Sequence, residues 1–172
     1  VYNLTNVVDD NSMEITHVIR GEDHVSNTPK QILIYHALGF KEPIFAHLPM
    51  ILGEDKKRLS KRHGAAGVNE YKSMGYQADA LLNYLALLGW NPGTEDEIFD
   101  LASLIECFDI DKVQKKSAIY DQKKFNWISS QHLIKENSDK VLNRLRSIDP
   151  EWGEFKSQDS LIKIIDLMKL RS

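Results

Sequence analysis

Cysteine is nearly absent from this chain of 172 residues, with Cys107 standing alone, so no internal disulfide holds it and a disulfide-stapled secreted scaffold is excluded. Cys107 falls in the apolar-periodic stretch Leu101-Ala102-Ser103-Leu104-Ile105-Glu106-Cys107-Phe108, where the expectation is a buried small hydrophobe. A lone thiol fits a reducing, cytoplasmic setting. No apolar run approaches the ~18 residues of a membrane-spanning helix, and no charged-then-apolar leader is visible at the start, so no membrane partner is expected. An excess of one charge is missing too. With 22 Lys and Arg against 25 Asp and Glu the net charge is −3, which excludes a uniformly basic nucleic-acid coat and confines any polyanion contact to local patches. Neither a GxxxxGK[ST] loop nor a GxGxxG occurs, so the common P-loop and dinucleotide readings fail. His17 and His24 lack the spacing of a metal site, and none is expected. No internal repeat or low-complexity tract appears. The remaining composition, 42% hydrophobic and 27% charged, is ordinary for a soluble globular protein with one core or two small ones.

What is present is a concentrated cationic loop. Lys56-Lys57-Arg58-Leu59-Ser60-Lys61-Arg62-His63 packs five fixed positive charges and one hydroxyl into eight residues, and Gly64 follows. Mobile cationic heads can follow a polyphosphate as charge moves along it, and Ser60 and the backbone N–H groups can add short hydrogen bonds. Taken alone, such a cluster is also what a solvated surface patch looks like. Its surroundings carry the functional reading. Arg20 closes a strand-like stretch, and its planar guanidinium is suited to an amino-acid carboxylate; a structural ion pair with Glu22, Asp23 or Asp9 is the alternative. Tyr2 and Asn6 share a face if their segment is extended. Gly21-Glu22-Asp23-His24 could line a nucleotide pocket, its carboxylates taking ribose hydroxyls or Mg2+ through water. Asp9 and Asp10 read as turn residues.

Tyr2 to Val8 and Glu14 to Ile19 are rich in β-branched and aromatic residues around the turn-forming Asp9-Asp10-Asn11-Ser12, which predicts a β-hairpin or two neighbouring strands. Thr28 as N-cap, Pro29 at the first helical position and Gln31 three residues after Thr28 predict a capped helix ending at Gly39. Ile44 to Leu52 reads as a buried strand with a proline interruption. Strand, helix, strand predicts an α/β layer. From Gly75 onward the pattern is helical: Ala78–Leu88, Leu101–Phe108, Asp121–Ile134, Asp139–Ile148 and Ser160–Leu170. Trp90 and Trp127 read as core anchors. Lys112, Lys115, Lys116, Lys123 and Lys124 are either polyanion contacts or solubilising charges.

The sequence Ile15-Thr16-His17-Val18-Ile19-Arg20-Gly21-Glu22-Asp23-His24, then Asn27-Thr28-Pro29 and Leu59-Ser60-Lys61-Arg62-His63-Gly64, resembles bacterial glutamyl-tRNA synthetases, class I aminoacyl-tRNA synthetases. The likeness continues through Asn83-Tyr84-Leu85, Leu88-Gly89-Trp90 and Asp121-Gln122-Lys123-Lys124-Phe125-Asn126-Trp127. It implies an α/β fold: the C-terminal part of a Rossmann-like catalytic domain over 1–68, a helical stem-contact region over 69–135, and the start of a helical anticodon-binding domain over 136–172. It implies that glutamate attacks ATP to give an adenylate, with Mg2+, and that the acyl group passes to tRNA(Glu). The loop corresponds to a KMSKS-type motif, with Lys61 on the ATP phosphates and Ser60 and Arg58 beside it. Tyr2, Asn6 and Arg20 fall around the glutamate, and Asp23 and His24 on the nucleotide side. Arg20 and Lys61 are then expected to converge on opposite ends of one aminoacyl-nucleotide. A monomer is the family expectation.

Two departures qualify the resemblance. Arg58 stands where the family often has lysine, and no HIGH-like tetrad occurs. With Val1 opening directly into patterned chain, the segment reads as an interior piece, expected to be inactive by itself. The competing readings are a glutaminyl-tRNA synthetase, the truncated glutamyl paralogue, and a catalytically silent tRNA-binding module.

Overall fold

The computed structural model describes residues 1–60, 67–154 and 156–171, which cluster into two compact units. The first unit comprises 1–51 with 115–118. The second comprises 52–114 and 119–172.

In the first unit the expected hairpin is replaced by helix α1, Tyr2–Ser12. Its covered positions are Asn3, Asn6, Val7, Asp10 and Asn11, with Val7 fully buried, and the helix packs on α2. That spacing is helical, but four of the five residues are polar, so no hydrophobic period betrayed it. Asp9 and Asp10 consequently lie inside the helix and not in a turn. Strand β1, His17–Gly21, leads through a 3-10 helix, Glu22–Asn27, into α2, Thr28–Leu38, and then β2, Ile44–Leu48. The strands pair in parallel, Val18 beside Phe45 and Arg20 beside His47. This is the expected strand–helix–strand layer. Gly39 ends α2 in the left-handed conformation at φ 68°, as a glycine after a helix does.

The start of α2 differs from expectation. Asn27 is the N-cap, Thr28 already has helical backbone, and no side chain caps the end. Thr28 and Gln31, read as a capping box, are directed elsewhere. Pro49 falls just after β2 and not within it, since it cannot donate to a ladder.

The second unit is helical: α3 Val68–Ser73, α4 Ala78–Leu87, α5 Leu101–Cys107, α6 Gln122–Lys135, α7 Ser138–Ile148 and α8 Gln158–Lys169. Side-chain caps explain most of the starts. Asp100, Asp121, Asn137 and Ser157 each accept from backbone N–H groups of the first turn. Phe125 from α6 is fully buried among Tyr71, Tyr76 and Tyr84, stacking on Tyr76 and Tyr84 at 4.5 and 4.9 Å between centroids. Trp90, Phe99 and Leu104 form a neighbouring cluster, and Val141, Leu142, Leu161 and Ile165 join α7 to α8. Trp90 is the core anchor expected. Trp127 is not: 45% of it is exposed, because α6 turns Phe125 and Ile128 inward. Cys107 is only half-buried.

Candidate functional site

Parallel pairing sets Arg20 and His47 side by side, and α2 covers the same face of the two strands. Thr28 and Gln31, one helical turn apart, therefore point at Arg20. Its Nη2 donates to Thr28 Oγ1 and to Gln31 Oε1, each at 2.8 Å, and its Nε donates to His47 Nε2 at 3.4 Å. The guanidinium also lies 5.4 Å from the centre of the Phe45 ring, within the range of a cation–π contact. Every one of these partners is neutral. No carboxylate among the described residues forms an ion pair with Arg20, so the structural pair with Glu22, Asp23 or Asp9 is not formed. Of the five N–H groups of a guanidinium, these bonds engage those of Nε and Nη2. Nη1 has no acceptor among the described residues.

The first unit also holds the other expected residues of its site. Tyr2, at the start of α1, stacks on His24 with ring centres 6.5 Å apart. Tyr2 and Asn6 are four apart on a helix and so share a face after all, by helical and not strand geometry. Asn27 Nδ2 approaches His24 Nδ1 at 3.4 Å. Glu22 Oε1 accepts from the Met50 N–H at 2.9 Å, which spends one carboxylate of Gly21-Glu22-Asp23-His24 on structure. A Cβ on Gly21 would stand 2.6 Å from Asp23 Oδ1. The close approach that Gly21 permits is thus made by the Asp23 carboxylate itself.

The cationic loop begins in the second unit. Leu52 and Arg58 form an antiparallel bridge across the turn Gly53–Lys57, in which the Gly53 N–H donates to the Lys57 carbonyl at 2.8 Å and Lys56 takes positive φ, 60°. Arg58 and Ser60 are exposed. Lys61, Arg62, His63 and Gly64 lie outside the described residues, and so does the expected convergence of Lys61 with Arg20. Of the five helical-region lysines, Lys124 pairs with Glu97, and Lys112 donates to the Pro92 carbonyl at 3.3 Å. Those two hold loops, while Lys115, Lys116 and Lys123 are exposed.

A separate cleft of about 530 Å³ opens among Gln77, Asp79, Asp100, His132, Lys135 and Lys140. Burial holds the His132 pKa below its ordinary value against the raising effect of Asp79. The cleft's charges are of both signs and select no single ligand. Among the described residues no group of three or more His, Cys, Asp or Glu is placed to hold a metal ion, and no helix is long and apolar enough to cross a membrane.

Sequence reasoning missed Thr28, Gln31 and His47 as partners of Arg20. The first two carried a stronger local signal as helix caps. His47 sits in an apolar run, and only the parallel register brings it to Arg20.

Comparison with known proteins bears on the family and the fold. The family model described as "tRNA synthetases class I (E and Q), catalytic domain" matches residues 1–127. A glutamate–tRNA ligase of Carboxydothermus hydrogenoformans is 58% identical over 132 residues, covering 77% of this chain and 28% of the relative. One from Natranaerobius thermophilus is 46% identical over 174 residues, covering 94% and 36%. The crystal structure of a glutamate tRNA ligase from Elizabethkingia meningosepticum in complex with its amino acid superposes with a TM-score of 0.89 at 34% identity, over 100% of this chain and 38% of that one. The chain thus spans between about a quarter and two fifths of the length of these relatives. With the family model matched over most of its length, and with the parallel β–α–β layer in place, this chain belongs to the class I tRNA synthetase (E and Q) catalytic-domain family.

Proposed function

We propose that these 172 residues are the middle part of a glutamate–tRNA ligase of the cytoplasm, working as a monomer on glutamate, ATP and tRNA(Glu). The observation that supports this best is Arg20, a fixed cation oriented by neutral partners with Nη1 left for an incoming carboxylate. A glutamine-specific enzyme binds a neutral amide and has less use for such a cation. In this reading Tyr2 and Asn6 complete the amino-acid side, and His24, which stacks on Tyr2, serves with Asp23 on the nucleotide side. Residues 1–68 supply the second part of the catalytic domain, 69–135 the stem-contact region, and 136–172 the start of the anticodon-binding domain.

In the reaction, a carboxylate oxygen of glutamate attacks the α-phosphorus of ATP, the bond to the β-phosphate oxygen breaks, and pyrophosphate leaves. The terminal ribose hydroxyl of tRNA(Glu) then attacks the acyl carbon, and AMP departs. Negative charge grows on pyrophosphate in the first step, so Lys61, with Ser60 and Arg58, favours the transition state over the ground state. Mg2+ would come with ATP and supply partial neutralisation of its phosphate charge.

Lys61→Ala in the full-length protein tests this reading. ATP–pyrophosphate exchange is expected to fall by about a hundredfold or more, with tRNA affinity within about threefold of the parent. A silent tRNA-binding module would instead show weaker, more salt-sensitive tRNA binding as its only change.

A further inference from the structure

We infer that His47 is a positioning residue whose neutral, Nδ1-protonated imidazole fixes the Arg20 guanidinium for the amino-acid carboxylate. The inference rests on the proposed role of Arg20. It starts from the Thr28 hydroxyl, which accepts from Arg20 Nη2 at 2.8 Å and has one proton of its own to give. Two acceptors compete for that proton: the His24 carbonyl at 3.5 Å and His47 Nε2 at 2.9 Å. The shorter contact takes it. Arg20 Nε–H points at the same His47 nitrogen from 3.4 Å. A nitrogen facing two donors carries a lone pair and no hydrogen, so the imidazole proton is on Nδ1.

Adding a second proton at Nε2 breaks this arrangement. The Thr28 hydroxyl could rotate toward the His24 carbonyl and accept from His47, but the Arg20 Nε–H would then face an N–H of a second cation. Gln31 cannot absorb the change. It is 2% exposed, its Oε1 already accepts from Nη2, and its Nε2 is buried with no partner. The groups facing His47 are Arg20 from β1, His24 from the 3-10 helix, and His36, which lines the same groove from α2 and is paired with Glu42. No carboxylate among them contacts His47 to favour its cation. Burial first, then the charges of Arg20 and His24, accordingly hold its pKa below the ordinary histidine value.

The experiment measures KM for glutamate in ATP–pyrophosphate exchange by the full-length protein at saturating ATP, between about pH 5 and pH 8. Glutamate's own groups do not titrate across that range. In the parent, KM rises toward acid as His47 takes its second proton. His47→Leu removes the acceptor and is expected to raise KM for glutamate by about tenfold at the alkaline end, the loss of one hydrogen bond to a charged group, with kcat and KM for ATP within about twofold. His47→Gln offers a non-titrating acceptor near the Nε2 position. It is expected to keep KM within about threefold of the parent and to flatten the acid rise. An acid rise that persists in His47→Gln overturns the inference, and this variant decides the matter if His47→Leu does not fold. An unchanged glutamate KM in a folded His47→Leu overturns it as well. Arg20→Ala separates the two levels: if it raises KM while the His47 variants do not, only the positioning role falls, and if it leaves KM unchanged, both readings fall.

Discussion

Tyr84 holds both polar backbone groups of Asp121: its hydroxyl donates to the carbonyl at 2.9 Å and accepts from the N–H at 2.7 Å. Burial pushes this phenol up to about 12, so it stays protonated and keeps donating throughout ordinary pH. Tyr84→Phe leaves two peptide groups without their partner, at a cost of about 1–3 kcal/mol. Faster amide hydrogen exchange at Asp121 and in the first turn of α6 is the expected sign, and unchanged protection would contradict it. At the same scale, Arg20 stands out in the sequence because its planar guanidinium suits a carboxylate. Its holders do not. Thr28 and Gln31 satisfy the local pattern of a helix start, and nothing local says that Asn27 takes the cap and leaves both side chains to Arg20.

Helix α6 shows why some elements read directly from sequence. Asp121 accepts from the N–H groups of Lys123 and Lys124 at 2.8 and 3.0 Å, a cap whose chemistry is contained in four consecutive residues. Asp121→Ala is expected to destabilise α6 by about 1 kcal/mol, read as lost hydrogen-exchange protection in its first turn with α7 unaffected. Helices α4 to α8 appear within a few residues of expectation, whereas α3, Val68–Ser73, lies where no helix is expected. Nor is one expected at α1. Its covered positions Asn3, Asn6, Val7, Asp10 and Asn11 are mostly polar, while Leu4 and Val8 are 50% and 39% exposed. A segment with its apolar residues outward and its polar residues inward imitates a strand to any test based on hydrophobic period, and tertiary packing on α2 decides otherwise.

At the scale of the whole molecule, the two units differ in what stabilises them. The first is a thin layer of two strands under two helices. The second has aromatic and aliphatic cores tied by polar bridges. Among these is Glu136, which joins α6, α7 and α8: Arg144 donates to both its carboxylate oxygens at 2.8 and 2.6 Å, Gln77 donates to one, and Lys169 bonds its backbone carbonyl. Burial pushes the carboxyl up, but the bonds from Arg144 and Gln77 and the charges of Arg144 and Lys169 outweigh it, so Glu136 titrates below its ordinary 4.5. The folded state therefore binds fewer protons than the unfolded one just below that pH. The stability contributed is complete above it and is lost as the pH falls through the lowered value. Arg144→Ala should weaken hydrogen-exchange protection of α7 at neutral pH by the equivalent of about 1–3 kcal/mol and flatten its acid loss. An acid loss of unchanged steepness would show that the pair is not its source.

The proposal on which the rest depends is that Arg20 holds the side-chain carboxylate of glutamate, the group by which glutamate differs from glutamine. Comparing kcat/KM for glutamate and glutamine in ATP–pyrophosphate exchange by the full-length protein, with Arg20 intact and with Arg20→Ala, tests it most directly. The parent is expected to prefer glutamate by about a hundredfold or more, and the preference to collapse in the variant. Equal use of both amino acids by the parent, or a preference that survives Arg20→Ala, would contradict it.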